Sequence, residues 1–110
     1  MEEQQNIPKK PKAYPFLKKL EKKMGVAKLA TSKNSKLKRK FKSGTSQIAK
    51  KMGEEAVEMV IASSKDDDVE FLEEAADVFY YYLLAIHDRG YKLKDVLHIL
   101  QSRDKEGKIR

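Results

Sequence analysis

A chain of 110 residues, 40% apolar and 37% charged, has material for one small domain with a modest core, and its surface-to-volume ratio favours burial between subunits. Cysteine is absent, which excludes disulfides, thiolate metal sites and a cysteine nucleophile. The net charge of +7 is divided unevenly: residues 9–51 hold 16 Lys/Arg against the single acid Glu21, whereas the rest of the chain is acidic by eight charges.

A basic stretch of this kind attracts polyanions, either nucleic acid or the phosphate chain of a nucleotide. The same composition also serves a lysine-rich surface with no dedicated partner. No run of about 18 apolar residues is present, so no membrane span is expected. The N-terminus lacks the continuous apolar region of a signal peptide, and a soluble cytoplasmic protein is the expectation.

In chain order, residues 1–12 hold two of the three prolines and almost no apolar side chains, which predicts a mobile tail before a domain over 13–110. Phe16, Leu17, Leu20, Met24, Ala27 and Leu29 recur at mostly helical spacing, with Gly25 as an interruption. Residues 31–44 have weak periodicity and read as a loop with at most a short helical turn. A second helix is predicted from Thr45 or Ser46 to about Ser63, with Ile48, Met52, Ala56, Met59 and Val60 as its apolar stripe.

The third helix opens at Asp66-Asp67-Asp68, whose oxygens suit the positive helix end, and stops at Gly90. Phe71, Ala75, Val78, Phe79, Tyr82 and Ile86 form its apolar face. A fourth follows from about Leu93 to Arg103, with Val96, Leu97 and Leu100 inward. The fold class is therefore all-α, an antiparallel bundle of four to five helices. The breadth of the apolar run from Val78 to Ile86 points to completion by a second copy of the chain.

The chemistry lies in Glu54-Glu55-x-x-Glu58 and Glu74-x-x-Asp77. Acids three apart share one helix face, so two such pairs on adjacent helices close four carboxylates around one small volume. Glu55, Glu58, Glu74 and Asp77 fall on the border of the core-facing stripes, whereas Glu73 falls opposite and Glu54 points further out. Crowded carboxylates at a buried border repel unless compensated, and a hard divalent cation such as Mg²⁺ or Mn²⁺ compensates them. A solvated charged face is the plainer reading of the spacing alone.

The segments Lys51-Met-Gly-Glu-Glu-Ala-Val-Glu58, Glu73-Glu-Ala-Ala-Asp-Val-Phe-Tyr80, Asp88-Arg-Gly90, Asp95-Val-Leu97 and Arg103 resemble phosphoribosyl-ATP pyrophosphohydrolase. That family belongs to the all-α, MazG-like nucleotide pyrophosphohydrolases and serves histidine biosynthesis. The resemblance implies Glu55, Glu58, Glu74 and Asp77 as Mg²⁺ ligands and Glu54 as a supporting or water-orienting acid. It implies hydrolysis of the α–β phosphoanhydride of phosphoribosyl-ATP to phosphoribosyl-AMP and pyrophosphate, by subunits that interlock.

Lys51, Tyr81 and Arg103 are the expected substrate contacts, with plain packing the alternative for Tyr81. Lys51 has a second role open to it, pairing with Glu54 and Glu55 across a helical turn. Two departures stand out. The family follows its Tyr with a His where this chain reads Tyr80-Tyr81-Tyr82, and Asn34-Ser35-Lys36-Leu37 is a poor copy of its Ser-Tyr-Thr-like segment. Rival readings are a pyrophosphohydrolase for another, noncanonical nucleotide, and a nucleic-acid-binding protein using the lysine-rich segment. Against the latter, only Phe41 is interleaved with the densest lysines for base stacking. His87 and His98 read as surface or core residues.

Overall fold

Five α-helices and no strand make up the residues described by the computed structural model, 13–29 and 35–109. They are α1 (Ala13–Ala27), α2 (Ser35–Lys42), α3 (Thr45–Ser63), α4 (Asp68–Asp88) and α5 (Leu93–Lys105). The expected tail over 1–12 lies outside the described residues, as does 31–34 of the expected loop. Among the described residues no helix is long and apolar enough to cross a membrane.

The α3–α4 hairpin is the frame. Its turn is short because Asp67 caps α4, its carboxylate accepting the Glu70 N–H at 3.1 Å. The far end of α4 closes on Gly90, at φ 87°, with the Gly90 and Tyr91 N–H groups donating to the His87 and Ile86 carbonyls. That pair of bonds satisfies the last carbonyls of the helix, and only a residue at ease with positive φ allows it.

The core is formed by Met24 and Ala27 of α1, Leu37 of α2, Ile48 of α3, and Leu83 and Leu84 of α4. Helix α1 runs through Gly25 without a break. An interior glycine costs a helix about 1 kcal/mol, and the complete burial of Met24 and Ala27 on either side offsets it. The stretch expected as a loop contains the two-turn α2. Leu37 and Phe41, four residues apart, turn one face onto the core and set the helix, although five charged neighbours hide their periodicity in the sequence.

Two further expectations are corrected. Leu83 and Leu84 are the buried apolar residues of α4, while Phe79, like Val60 of α3, is substantially exposed. Helix α5 buries no side chain, and Leu97 and Leu100, expected inward, are about half exposed. The helix stands off from the hairpin across a groove of about 520 Å³ lined by Met52, Tyr82 and Ile86 on one side and Val96 and Ile99 on the other.

One polar junction fixes α1 to the rest. Glu21 Oε1 lies 2.8 Å from His87 Nε2 and also accepts the Leu93 N–H at 2.8 Å. Lys28 donates to the His87 carbonyl. A single carboxylate thus ties α1 to the end of α4 and the start of α5, where an anion also suits the helix dipole. His87 is a core residue, only 5% exposed, whereas His98 is on the surface.

Candidate active site

The middle of α3 and the first half of α4 bring the acids together. Carboxylate oxygens of Glu55, Glu74 and Asp77 all lie within 4.8 Å of one another. Glu55 and Glu74 are partly buried, as the border position requires, while Asp77 and Glu58 stand at the exposed edge. Glu58 is outside that closest group, yet it is near enough to act on Glu74. The Glu74 carboxyl is raised above its ordinary 4.5, first by partial burial, then by the negative charges of Asp77, Glu58, Glu55 and Glu70. The cluster is strained by its own charge. Glu73, one residue away, is exposed and takes no part.

Lys51 is the only cation within ion-pair distance of the cluster among the described residues. Its ammonium is 3.5 Å from Glu54 and 3.8 Å from Glu55, one and a fraction of a turn along α3. It also lies 5.9 Å from the centre of the Tyr81 ring. Lys51 and Tyr81 together form the border between the carboxylates and a cavity of about 590 Å³ whose other walls come from α2 and the start of α3.

That cavity carries the opposite charge. Lys36, Arg39, Lys40 and Lys51 line it with Ser43, Gln47 and Tyr81, and no acid contributes. Lys40 donates to the Tyr81 hydroxyl at 3.2 Å and sits 5.3 Å and 5.8 Å from the Tyr81 and Tyr80 ring centres. The two rings meet edge to face at 5.3 Å, and burial raises the Tyr80 phenol above its ordinary range. An oxygen-only acidic cluster and an acid-free basic cavity therefore adjoin on one surface.

The phosphoribosyl-ATP pyrophosphohydrolase family model matches residues 17–104. The chain belongs to this family. The histidine biosynthesis bifunctional protein HisIE of Campylobacter jejuni is 38% identical over 92 residues, covering 84% of this chain and 44% of that protein. The bifunctional HisIE of Buchnera aphidicola from Schizaphis graminum is 36% identical over 91 residues, 83% and 44%. That of Escherichia coli K12 is 36% identical over 88 residues, 80% and 43%. The chain spans less than half the length of these relatives.

Membership of the pyrophosphohydrolase family covers all of α2, α3 and α4, and so both halves of the site. Of the residues expected from sequence, Glu54, Glu55, Glu58, Glu74, Asp77, Lys51 and Tyr81 are gathered on this surface. Arg103 is not: it is exposed in the last turn of α5 and lines neither the cavity nor the cluster. Sequence reasoning did not single out Arg39 and Lys40. Their signal was the spacing of Leu37 and Phe41, which fixes the rotation of α2 and with it the cations that face the cavity.

Proposed function

We propose that the chain is a Mg²⁺-dependent phosphoribosyl-ATP pyrophosphohydrolase, releasing pyrophosphate from phosphoribosyl-ATP and leaving phosphoribosyl-AMP. The observation that carries this reading is the contact of an oxygen-only acidic cluster with an acid-free basic cavity through Lys51. Glu55, Glu74 and Asp77, joined by Glu58 at the edge, fit a hard divalent cation: their oxygens converge, no soft donor is present, and one lysine, Lys51 beside Glu55, offsets only part of their mutual repulsion. Mg²⁺, or Mn²⁺, held there would supply charge neutralisation for the triphosphate and a more acidic water for attack on the α-phosphorus.

The protein's own groups do the rest. Glu54, four residues before Glu58 and half exposed, accepts the proton of the attacking water. Lys51 orients Glu54 and Glu55 and places its charge beside the leaving pyrophosphate. No covalent nucleophile is required. The test is a pyrophosphate-release assay with Mg²⁺ over phosphoribosyl-ATP and the common nucleoside triphosphates. Turnover of phosphoribosyl-ATP well above all others is expected, and no preference for it would overturn the substrate assignment.

A second reading, a pyrophosphohydrolase for another nucleotide, is favoured by two residues. Lys36 and Tyr81 both line the cavity, and both sit where the chain departs from the family pattern. The same assay separates the two. A nucleic-acid role is less well supported, because three cations of α2 line a concave pocket against α4, where they suit a compact anion.

The working unit we propose is a homo-oligomer with a dimer as its minimum. Val57, Val60, Ile61, Leu72, Leu97 and Ile99 are all largely exposed on α3, α4 and α5, more apolar surface than a small monomer tolerates. Light scattering at micromolar concentration should give at least twice 12.7 kDa, and a monodisperse monomer would remove this proposal.

A further inference from the structure

The basic cavity contains more donors than a metal-held triphosphate needs. Its volume of about 590 Å³ is that of a site for a small molecule rather than a single ion. Four of its lining side chains are cationic, and among the described residues none of Lys36, Arg39 and Lys40 has a carboxylate within ion-pair distance. Cations brought together without an acid repel one another, and the arrangement is relieved by an anion. Lys40 is also held in place beforehand. Its ammonium lies over two aromatic faces and spends one of its three donors on the Tyr81 hydroxyl, leaving the others for a ligand. Arg39 presents a planar fork suited to two phosphate oxygens at once.

We propose that this cavity is a phosphate subsite separate from the carboxylate cluster, with Lys40, set by Tyr81, and Arg39 as its specificity-determining residues. It takes a phosphoryl group that the metal does not hold. The inference rests on the substrate class proposed above, which offers two such groups: the pyrophosphate that leaves, and the monophosphate on the second ribose.

The test is metal-free binding. The full chain, in excess chelator, is titrated calorimetrically with inorganic pyrophosphate and, separately, with ribose 5-phosphate. Saturable binding of either at one site per chain is expected, and the tighter ligand assigns the subsite to the leaving end or the sugar-phosphate end. Lys40→Gln and Arg39→Gln should each weaken binding about tenfold or more, the usual effect of removing a charged hydrogen bond. Tyr81→Phe, which keeps the ring and removes the hydroxyl, should weaken it by a smaller factor at an unchanged melting temperature. Lys105→Gln, at an exposed position in the last turn of α5 that does not line the cavity, removes the same charge and should leave affinity within twofold of wild type.

Absence of saturable binding by both ligands overturns the proposal. So does an equal loss in Lys105→Gln and Lys40→Gln, which would mean a response to net charge alone. Hydrolysis is not measured here, so failure of the proposed reaction and failure of this subsite are read from different experiments.

Discussion

The carboxylate cluster and the basic cavity share Lys51 and Tyr81, yet they are built on different supports. The acids stand in the interiors of α3 and α4, the two longest helices, paired along much of their length. The cations stand mainly on α2, eight residues long and anchored through Leu37 and Phe41. A metal site demands ligand positions fixed to a fraction of an ångström, and helix interiors supply that. A phosphate grip works through several mobile ammonium groups and tolerates a softer wall. The difference teaches that the two halves should fail differently: the acidic side in turnover, the basic side in affinity.

The largest effect expected is on the acidic side alone. Excess chelator should abolish turnover, Mg²⁺ or Mn²⁺ should restore it, and Ca²⁺ should not, because its longer bonds and higher ligand number misplace the attacking water. Full activity in chelator would end the assignment of the cluster as a metal site. Next come Glu55→Gln, Glu58→Gln, Glu74→Gln and Asp77→Asn. Each should lower kcat on the order of a hundredfold or more, beyond what loss of an outer-shell partner does. Their metal-free melting temperatures should equal or exceed wild type, since each removes one charge from a crowded set. A fall in melting temperature parallel to the fall in activity would return these acids to a structural role.

Lys51→Gln probes the border. It should raise KM about tenfold, the effect of one charged hydrogen bond, and lower kcat less than any ligand substitution does. A pure kcat effect would place Lys51 wholly on the acidic side. The pH response sharpens the same contrast. Because Glu74 binds its proton more readily in the folded state, the metal-free protein gains stability that is full below the ordinary carboxylate value and is lost as pH rises through the raised one. Protons compete with Mg²⁺ for the same oxygens, so the Mg²⁺ needed for half-maximal activity should climb as pH falls. Melts in chelator and Mg²⁺ titrations, begun below the ordinary carboxylate value of 4.5 and carried to about neutral pH, check both slopes. The smallest effect belongs to Glu73→Gln, which should stay within about twofold of wild type, as exposed substitutions do. Damage equal to that of Glu74→Gln would show that the facing of α4 is misassigned.

The acidic half was legible in the sequence because its spacing and the apolar stripes share one helical period. Glu55 and Glu74 fall at the border of burial for the same reason that Ile48 falls inside it. Helix ends were legible too, since Asp67 and Gly90 act locally. What the sequence hid were features set by partners far along the chain. Helix α2 is decided by two apolar residues among lysines, and its identity emerges only against Met24 and Leu84. The contact of Glu21 with His87 spans 66 residues, and nothing local to either announces it. Helix α5 has an amphipathic pattern, but pattern does not say whether the partner for its apolar face lies in the same chain.

The Glu21 junction bears on how the molecule breathes. Helix α1 is held by a few core side chains and one carboxylate that serves both His87 and the first turn of α5, whereas α3 and α4 hold each other along their length. Opening of the α1–α2 side therefore costs less than parting α3 from α4, and hydrogen exchange should proceed there through partial opening while α3–α4 amides wait for global unfolding. The α2 wall of the basic cavity then belongs to a segment that loosens before α3 and α4, which carry the proposed metal ligands. In the proposed enzyme, nucleotide would exchange through the soft side without the carboxylates ever leaving register.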